Sequence, residues 1–346
     1  MSTQKYYTCT ITLPNGKRKY IRGKTKKEME QKRAEALKLL DQGVRLDDNI
    51  TFAEYTDQWL QNVKAPRVKP RTVIGYTNLL RPAYEVIGRM RMQDIRASHI
   101  YAVMNTVDFC HGSQRAMLGL LRNVFNFAVD DCLIVKSPVP LTLKASGTSR
   151  EEPEPITREQ EQEMMDKLDG LVKDFAFVAI RTGMRRSEML ALQWADIDWK
   201  KQVIHMRHHV VDAPGNYGEI VSGAKTAAGV RDIPMPRSLM AYLSEMRNRS
   251  PVVSLFVFPT KTGGNFSNSS FSVKWNREVK DLSFPVHPHL LRHTYITRLF
   301  EAGLDIKQIQ YVAGHATEQM TLHVYTHYNA AERAEETINA VQQAIG

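Results

Sequence analysis

HPHLLRHTYITRL, residues 287–299, combines polar side chains with an apolar helical pattern. His289, Arg292 and His293 are three and four residues apart, so a helix over this segment places them on one face. Leucine and isoleucine residues occupy the sides that would pack against the rest of the protein. Histidines four residues apart also occur in zinc sites, but the segment has no HExxH pattern and no carboxylate between them. The segment therefore favours a polar helix face over a metal site.

A second segment places an arginine at the corner between two predicted helices. Residues 181–198 read RTGMRRSEMLALQWADID, in which Gly183 ends an apolar helix and Ser187 is the predicted N-cap of the next one. Arg185 lies between them and requires an anion, either from a substrate or from Glu188 one turn further on. On this segment alone, a structural ion pair with Glu188 explains the arginine.

Two more segments contain isolated polar residues. Residues 223–234, GAKTAAGVRDIP, place Lys225 at the end of a predicted strand, just before a turn. Residues 312–328, VAGHATEQMTLHVYTHY, contain Gly314, His315 and, ten residues further on, Tyr325. Taken singly, a lysine at a hairpin is usually solvated and a tyrosine in a helical stretch usually packs in the core. The four segments indicate a site only when they are taken together.

Taken together, the segments resemble the tyrosine recombinase, or phage integrase, family, and in particular the three-domain integrases of temperate phages and conjugative transposons. The resemblance is carried by the motifs TGMRRSEML, HLLRHT, and GH followed by VYTH, and it is strongest over residues 155–330. It identifies six catalytic candidates in the order of that family, namely Arg185, Lys225, His289, Arg292, His315 and Tyr325.

The resemblance implies that the hydroxyl of Tyr325 attacks a DNA phosphodiester, leaving a 3′-phosphotyrosyl bond and a free 5′-hydroxyl. Arg185, Arg292 and His315 would bind the nonbridging oxygens, on which negative charge builds up. Lys225 would protonate the leaving oxygen, and His289 would accept the tyrosine proton. Two further residues are assigned supporting roles, with His293 buttressing the site and Glu188 orienting Arg185.

The distribution of charge separates a basic front half from a neutral back half. Residues 1–49 hold 12 Lys and Arg against 6 Asp and Glu, and residues 50–149 hold 12 against 7. Residues 150–346 hold 23 against 24, although the whole chain of 346 residues has a net charge of +10. The front half is therefore predicted to bind a polyanion, with a surface tuned for solubility as the alternative.

The basic residues concentrate on two predicted elements. Residues 5–12 and 18–22 read as two strands joined at Asn15-Gly16, and a basic helix follows from Lys26 to Asp41. Residues 50–136 read as four or five helices, with a basic loop before one of them. The DNA-binding candidates on the hairpin and the loop are Lys17, Arg18, Lys19, Arg22, Lys24, Lys69 and Arg71.

The predicted fold is mainly α with small β elements, arranged as several domains. An N-terminal β-sheet-plus-helix domain for arm-type DNA sites is expected over residues 1–48, and a helical core-binding domain over 49–140. A proline-rich linker over 141–155 leads to a catalytic domain of mixed but mostly helical structure over 156–346, including a C-terminal helical tail.

The sequence also bears on the location, cofactors and partners of the protein. No apolar run approaches the ~18 residues of a membrane span, and the first residues lack an apolar leader, so we expect a cytoplasmic protein that joins the nucleoid when bound to DNA. The chain contains no P-loop and no carboxylate cluster suited to a two-metal nuclease, so no cofactor or metal is expected. The expected partners are double-stranded DNA at core and arm sites, further copies forming a homotetramer at synapsis, and an excisionase or DNA-bending helper.

Three alternatives stay open at this point. A type IB topoisomerase-like enzyme would use the same chemistry to relax DNA, although it does not require a separate basic N-terminal domain. A DNA-binding regulator would carry a vestigial site, which the complete candidate set argues against. A metal-dependent hydrolase would use the histidines of residues 205–209 or 287–293, and it would lose its activity in EDTA.

Overall fold

The computed structural model divides the chain into two compact units, Met1–Glu151 and Glu152–Gly346. It describes residues 6–14, 16–45, 49–147, 154–213, 215–223, 230–315, 317 and 319. The division lies within the predicted linker of residues 141–155. The predicted boundary near residue 48 lies inside the first unit, and it stays a prediction.

The first unit begins with a hairpin and a helix. Strands β1 (Tyr7–Thr12) and β2 (Arg18–Gly23) pair in antiparallel register, with Thr10 opposite Tyr20, and helix α1 spans Lys26–Asp41. The helix starts where the side chain of Thr25 accepts a hydrogen bond from the backbone N–H of Glu28 at 3.1 Å. The inward side chains form a small apolar core made of Ile11, Leu13, Ile21 and Val44. The predicted sheet-plus-helix element is therefore confirmed.

The rest of the first unit is helical. Its longer helices are α2 (Phe52–Trp59), α3 (Pro70–Ile87), α4 (Ala97–Asn105) and α5 (His111–Asp130). Thr51 and Glu54 form a reciprocal capping box at the start of α2. The core of this region is centred on Phe52 and Phe125, whose rings stack with centroids 5.6 Å apart.

The second unit combines helices with short strands. Its helices are α6 (Arg158–Lys167), α7 (Gly170–Thr182), α8 (Arg186–Met189), α9 (Arg237–Arg249), α10 (Asn268–Glu278), α11 (Pro288–Glu301) and α12 (Ile306–Ala313). Its strands are β3 (Ile197–Asp198), β4 (Val203–Met206), β5 (His208–Ala213), β6 (Asn216–Ser222) and β7 (Arg231–Pro234). Phe175 of α7 packs against Phe271 and Trp275 of α10 in the main core.

The strands form two separate small sheets, which corrects one expectation. The sequence of residues 202–211, QVIHMRHHVV, predicts a single short strand, but in the structure the chain breaks at Arg207 into β4 and β5. Strand β4 pairs with β3 and β7, while β5 pairs with β6. The break arises because the two halves have different partners, which local sequence preference does not reveal.

Helices predominate and the sheets are small, so the predicted fold class is confirmed. Helix α11 packs on α7 and on α12. The C-terminal ends of α7 and α12 therefore lie close to α11. Within the described ranges, no helix is both long and apolar enough to cross a membrane.

Candidate active site

The corner between α7 and α8 is shaped by Gly183. This residue ends α7 in the left-handed conformation, with φ of 60°, and a Cβ there would collide with the ring of Tyr295. Helix α8 then begins at Arg186 with Arg185 as its N-cap, so the predicted cap Ser187 is wrong. The carboxylate of Glu188 reaches back and accepts the backbone N–H of Arg185 at 2.8 Å, and this bond replaces a hydroxyl cap.

Arg185 is also paired with Glu188 through its side chain. Its Nη1 donates to Oε1 of Glu188 at 2.8 Å, and its Nη2 donates to the carbonyl oxygen of Gly314 at 2.6 Å. The side chain of Arg185 is 31% exposed, so part of the guanidinium faces outward. The predicted Arg185–Glu188 pair is therefore present, and it leaves one side of the arginine open to an anion.

Helix α11 presents His289 and Arg292 to the same corner. His287 caps the helix, its Nδ1 accepting the backbone N–H of Leu290 at 3.1 Å, and Pro288 occupies the first turn. Arg292 is only 2% exposed and donates to the carbonyl oxygens of Gly183 at 2.6 Å and Ala313 at 2.5 Å. These bonds fix its guanidinium next to that of Arg185.

Three arginine side chains donate hydrogen bonds to three successive carbonyl groups at the C-terminal end of α12. Arg231 donates to Val312 at 2.7 Å, Arg292 to Ala313 and Arg185 to Gly314. The C-terminal end of a helix carries partial negative charge and unpaired carbonyls, so it is a favourable place for cations. Gly314 then turns the chain with φ of 66°, and the buried His315 follows directly.

Glu188 balances part of this positive charge. It is 3% exposed, and two arginines flank it, Arg185 on one side and Arg231 on the other. Burial acts against its charge, but the arginine charges and hydrogen bonds outweigh burial and hold the pKa of Glu188 below its usual range. Burial and the neighbouring charge of Arg185 lower the pKa of Arg292 to about 9, so the group stays protonated at neutral pH.

The same charges keep two histidines neutral. Burial, together with the charges of Arg292 and Arg185, lowers the pKa of His315 to about 3. Burial and the charge of Arg292 also lower the pKa of His289. A neutral imidazole can accept a proton or a hydrogen bond, which a protonated one cannot do.

The residues around Arg185 and His289 line a cavity of about 340 Å³ that also includes Arg292. Arg186 lines the cavity as well, and its guanidinium donates to Oδ1 of Asn268 at 3.2 Å and to Oγ of Ser272 at 2.6 Å. The cavity has room for a phosphate group, and its cationic lining favours an anion.

Most of the predicted catalytic set comes together at this place. Arg185, His289, Arg292 and His315 meet at the end of α12, with Glu188 behind Arg185. His293 lies one turn after His289 on α11 and is half-buried. Lys225 and Tyr325 lie outside the described residues. Sequence reasoning missed Arg231 in the described part of the site, because its partners Glu188 and Val312 are distant in sequence.

The DNA-binding candidates divide between two faces of the hairpin. Arg18, Tyr20 and Arg22 are exposed on one face of β2, directly opposite threonines of β1. Lys19 pairs with Ile11, and the strand alternation puts its side chain on the other face, where it is half-buried. The remaining candidates, Lys17, Lys24, Lys69 and Arg71, are exposed at the hairpin turn, after β2 and at the start of α3.

Comparison with known proteins agrees with this fold. Residues 154–332 match the phage integrase family, and residues 51–107 match its N-terminal SAM-like domain. A XerC-like tyrosine recombinase of Caldanaerobacter subterraneus is 30% identical, over 97% of this chain and 96% of that protein. The transposase of transposon Tn916 from Enterococcus faecalis is 25% identical, over 92% of this chain and 83% of that protein.

A solved structure shares the fold. The Tn1549 transposon integrase in complex with transposon right end DNA superposes with a TM-score of 0.71 and 24% identity, over 84% of this chain and all of that one. The chain belongs to the phage integrase family of tyrosine recombinases. It is a tyrosine-type site-specific recombinase, an enzyme that cuts and rejoins DNA.

Proposed function

We propose that this recombinase integrates and excises a mobile element by way of a covalent 3′-phosphotyrosyl bond at Tyr325. The observation that carries the proposal is the placement of Arg185 and Arg292 on adjacent carbonyls, beside two neutral histidines and a cavity with room for a phosphate. The topoisomerase and regulator alternatives are not favoured, because the named relatives are a recombinase and a transposase.

The first step is binding of the scissile phosphate in the cavity. Arg185 and Arg292 each present N–H donors to the nonbridging oxygens, while His315 adds a hydrogen bond as a neutral ring. Because both arginines are already hydrogen-bonded to fixed backbone groups, little reorganisation is required as negative charge develops. Each such contact contributes ~3 kcal/mol to the stability of the transition state.

Cleavage then moves two protons and exchanges one bond. The Tyr325 oxygen forms a bond to phosphorus as the bond from phosphorus to the 5′-oxygen breaks. Neutral His289 accepts the tyrosine proton, and Lys225 donates a proton to the departing 5′-oxygen. In the second step a 5′-hydroxyl of the partner strand attacks the phosphotyrosine, which regenerates Tyr325 and joins the strands without an external energy source.

The first unit supplies binding to DNA outside the cleavage site. The exposed hairpin face with Arg18 and Arg22 suits arm sites, and the basic start of α3 with Lys69 and Arg71 suits the core site. Recombination takes place between four copies at synapsis, in the cytoplasm and on the nucleoid, with an excisionase or a DNA-bending protein setting the direction.

The test uses a suicide substrate that carries the recombination site of the element, nicked close to the cleavage point, in EDTA. Wild type is expected to form a covalent adduct, seen on a denaturing gel. Tyr328→Phe, the matched control for Tyr325→Phe, is expected to form the same adduct. Tyr325→Phe is expected to bind the DNA and form no adduct. An adduct with Tyr325→Phe, or cleavage by wild type that disappears in EDTA, contradicts the proposal.

A further inference from the structure

A fully buried arginine stands next to the site but has no part in the chemistry described above. Arg231 is the first residue of β7, two residues after the segment 224–229 that contains Lys225. Its side chain is 1% exposed. A charge at such depth persists only when it is fully paired, so its partners define its purpose.

The partners of Arg231 belong to the recombination site. Its Nη1 and Nη2 donate to the two carboxylate oxygens of Glu188, at 3.3 and 3.0 Å, and its Nε donates to the Val312 carbonyl at 2.7 Å. Glu188 in turn holds the backbone and side chain of Arg185. Arg231 therefore joins β7, the first-arginine corner and the end of α12.

Arg231 raises the net positive charge around the proposed phosphate position. Arg185, Arg231 and Arg292 around Glu188 leave a net charge of +2 at the place where the phosphate binds. Without Arg231 the carboxylate neutralises Arg185 alone, and the net charge falls to +1. Attack on a phosphodiester increases the negative charge on the nonbridging oxygens, so the loss of one positive charge raises the barrier.

We propose that Arg231 is a positioning residue of the recombination reaction: it shares Glu188 with Arg185, so that the negative charge of the carboxylate is not spent on Arg185 alone, and it ties β7 to the last turn of α12. This inference rests on the proposed function. Arg231 itself does not touch the DNA, and its effect passes through Glu188 and Arg185.

A second, partly buried ion pair in the same unit gives a control. Arg298 donates to Glu161 at 2.6 Å and to the carbonyl oxygen of Ile156 at 3.2 Å, which is the same combination of carboxylate and backbone partners. The carboxylate of Glu161 also pairs with Arg158 and Arg181, and none of these residues belongs to the site. Loss of Arg298 therefore reports what removal of a structural arginine does.

The experiment compares two suicide substrates, one with an ordinary phosphodiester at the cleavage point and one with an uncharged methylphosphonate there. Rates of adduct formation are measured for wild type, Arg231→Met, Arg231→Lys and Arg298→Met, with folding checked by thermal melting. We expect Arg231→Met to lose about tenfold or more on the phosphodiester, and markedly less on the methylphosphonate, because the neutral substrate needs less positive charge. Arg231→Lys, which keeps the charge, is expected to lose less than Arg231→Met on the phosphodiester.

Removing both charges provides the second measurement. Arg231→Met combined with Glu188→Gln restores the net charge of +2, so the pair is expected to cleave the phosphodiester faster than Arg231→Met alone. Equal losses on the two substrates, as expected for Arg298→Met, would overturn the inference, and so would a double variant no faster than the single one. If Arg231→Met does not fold, Arg231→Gln, which also lacks the charge, takes its place in the comparison of the two substrates, with the same expected and contradicting results. Absence of an adduct with wild type refutes the proposed function instead.

Discussion

Arg185 and Arg292 donate to neighbouring peptide groups, the carbonyl oxygens of Gly314 and Ala313, at 2.6 and 2.5 Å. The two residues are more than one hundred positions apart in the chain. A third segment, which ends α12, holds both side chains in place through its backbone carbonyls. The relative position of their guanidinium groups is therefore fixed by two adjacent peptide groups at the C-terminal end of α12.

Gly183→Ala is expected to weaken both the fold and the site. Alanine at φ of 60° is strained, its Cβ collides with Tyr295, and the Gly183 carbonyl is a partner of Arg292. Gly303→Ala is the control, because φ there is 81° but no atom lies within 4 Å of the added Cβ. We expect Gly303→Ala to lower the free energy of unfolding by about 1 kcal/mol, and Gly183→Ala by 1–3 kcal/mol more, in urea denaturation. Similar values for the two variants would contradict this.

The stability of the protein is expected to depend on pH through His315. Its pKa is about 3 in the folded protein and ~6.5 in an unfolded chain, so between these values the unfolded state binds a proton that the folded state does not bind. The stabilising contribution is complete above pH 6.5 and declines as the pH falls towards 3. At pH 5 the loss amounts to at most ~2 kcal/mol.

Urea denaturation at pH 7.5 and pH 5 measures this loss. His315→Gln is expected to lose less stability between the two pH values than wild type does. A control substitution at the exposed His111, written His111→Gln, is expected to keep the full wild-type difference. If His315→Gln loses as much stability between pH 7.5 and pH 5 as wild type does, groups other than His315 cause the acid sensitivity.

Catalysis is expected to require neutral His289. Burial and the charge of Arg292 lower its pKa below the usual 6.5, so the base is available at neutral pH and is lost only under more acidic conditions. We expect the rate of adduct formation to be flat near pH 7 and to fall with a midpoint below pH 6.5. His289→Asn is expected to be slower by about 10²–10⁴-fold and to show no such acid limb. An acid limb that survives in His289→Asn would show that another group is the base.

The two faces of the hairpin are expected to differ in DNA binding. Arg18→Ala and Arg22→Ala on the exposed face are each expected to reduce the salt dependence of binding by about one phosphate contact. Lys19→Ala is expected to leave it unchanged, because the register puts Lys19 on the other face with Ile11. The measurement is the affinity of the full chain for duplex DNA from the ends of the element, at several salt concentrations. A Lys19→Ala effect equal to that of Arg18→Ala would contradict the assignment of faces.

Features that depend on a few neighbouring residues could be predicted from the sequence. Helix α1 begins and ends as predicted, because the residues that cap it, Thr25 and Gln42, bond to groups within one turn of the helix. His289 and Arg292 share a helix face for the same reason, since their spacing of three residues is a property of any helix.

Features that depend on distant partners could not be predicted. The break at Arg207 follows from pairing with β7 and β6, and the role of Arg231 follows from Glu188 and Val312, 43 and 81 residues away. The cap at Arg185 was missed because Ser187 fits the usual preference, while the structure uses the carboxylate of Glu188 instead.

The acceptors that hold the three arginines are peptide oxygens, which every amino acid carries. Residues 312 and 313 are therefore free to drift in sequence, within the limits of packing, without loss of the groups that orient the cations. Gly314 is the exception, because its φ of 66° strains any residue with a side chain. The hydrogen bonds of the site thus put no demand on the side chains at positions 312 and 313, which packing alone constrains, whereas the turn itself constrains the residue at Gly314.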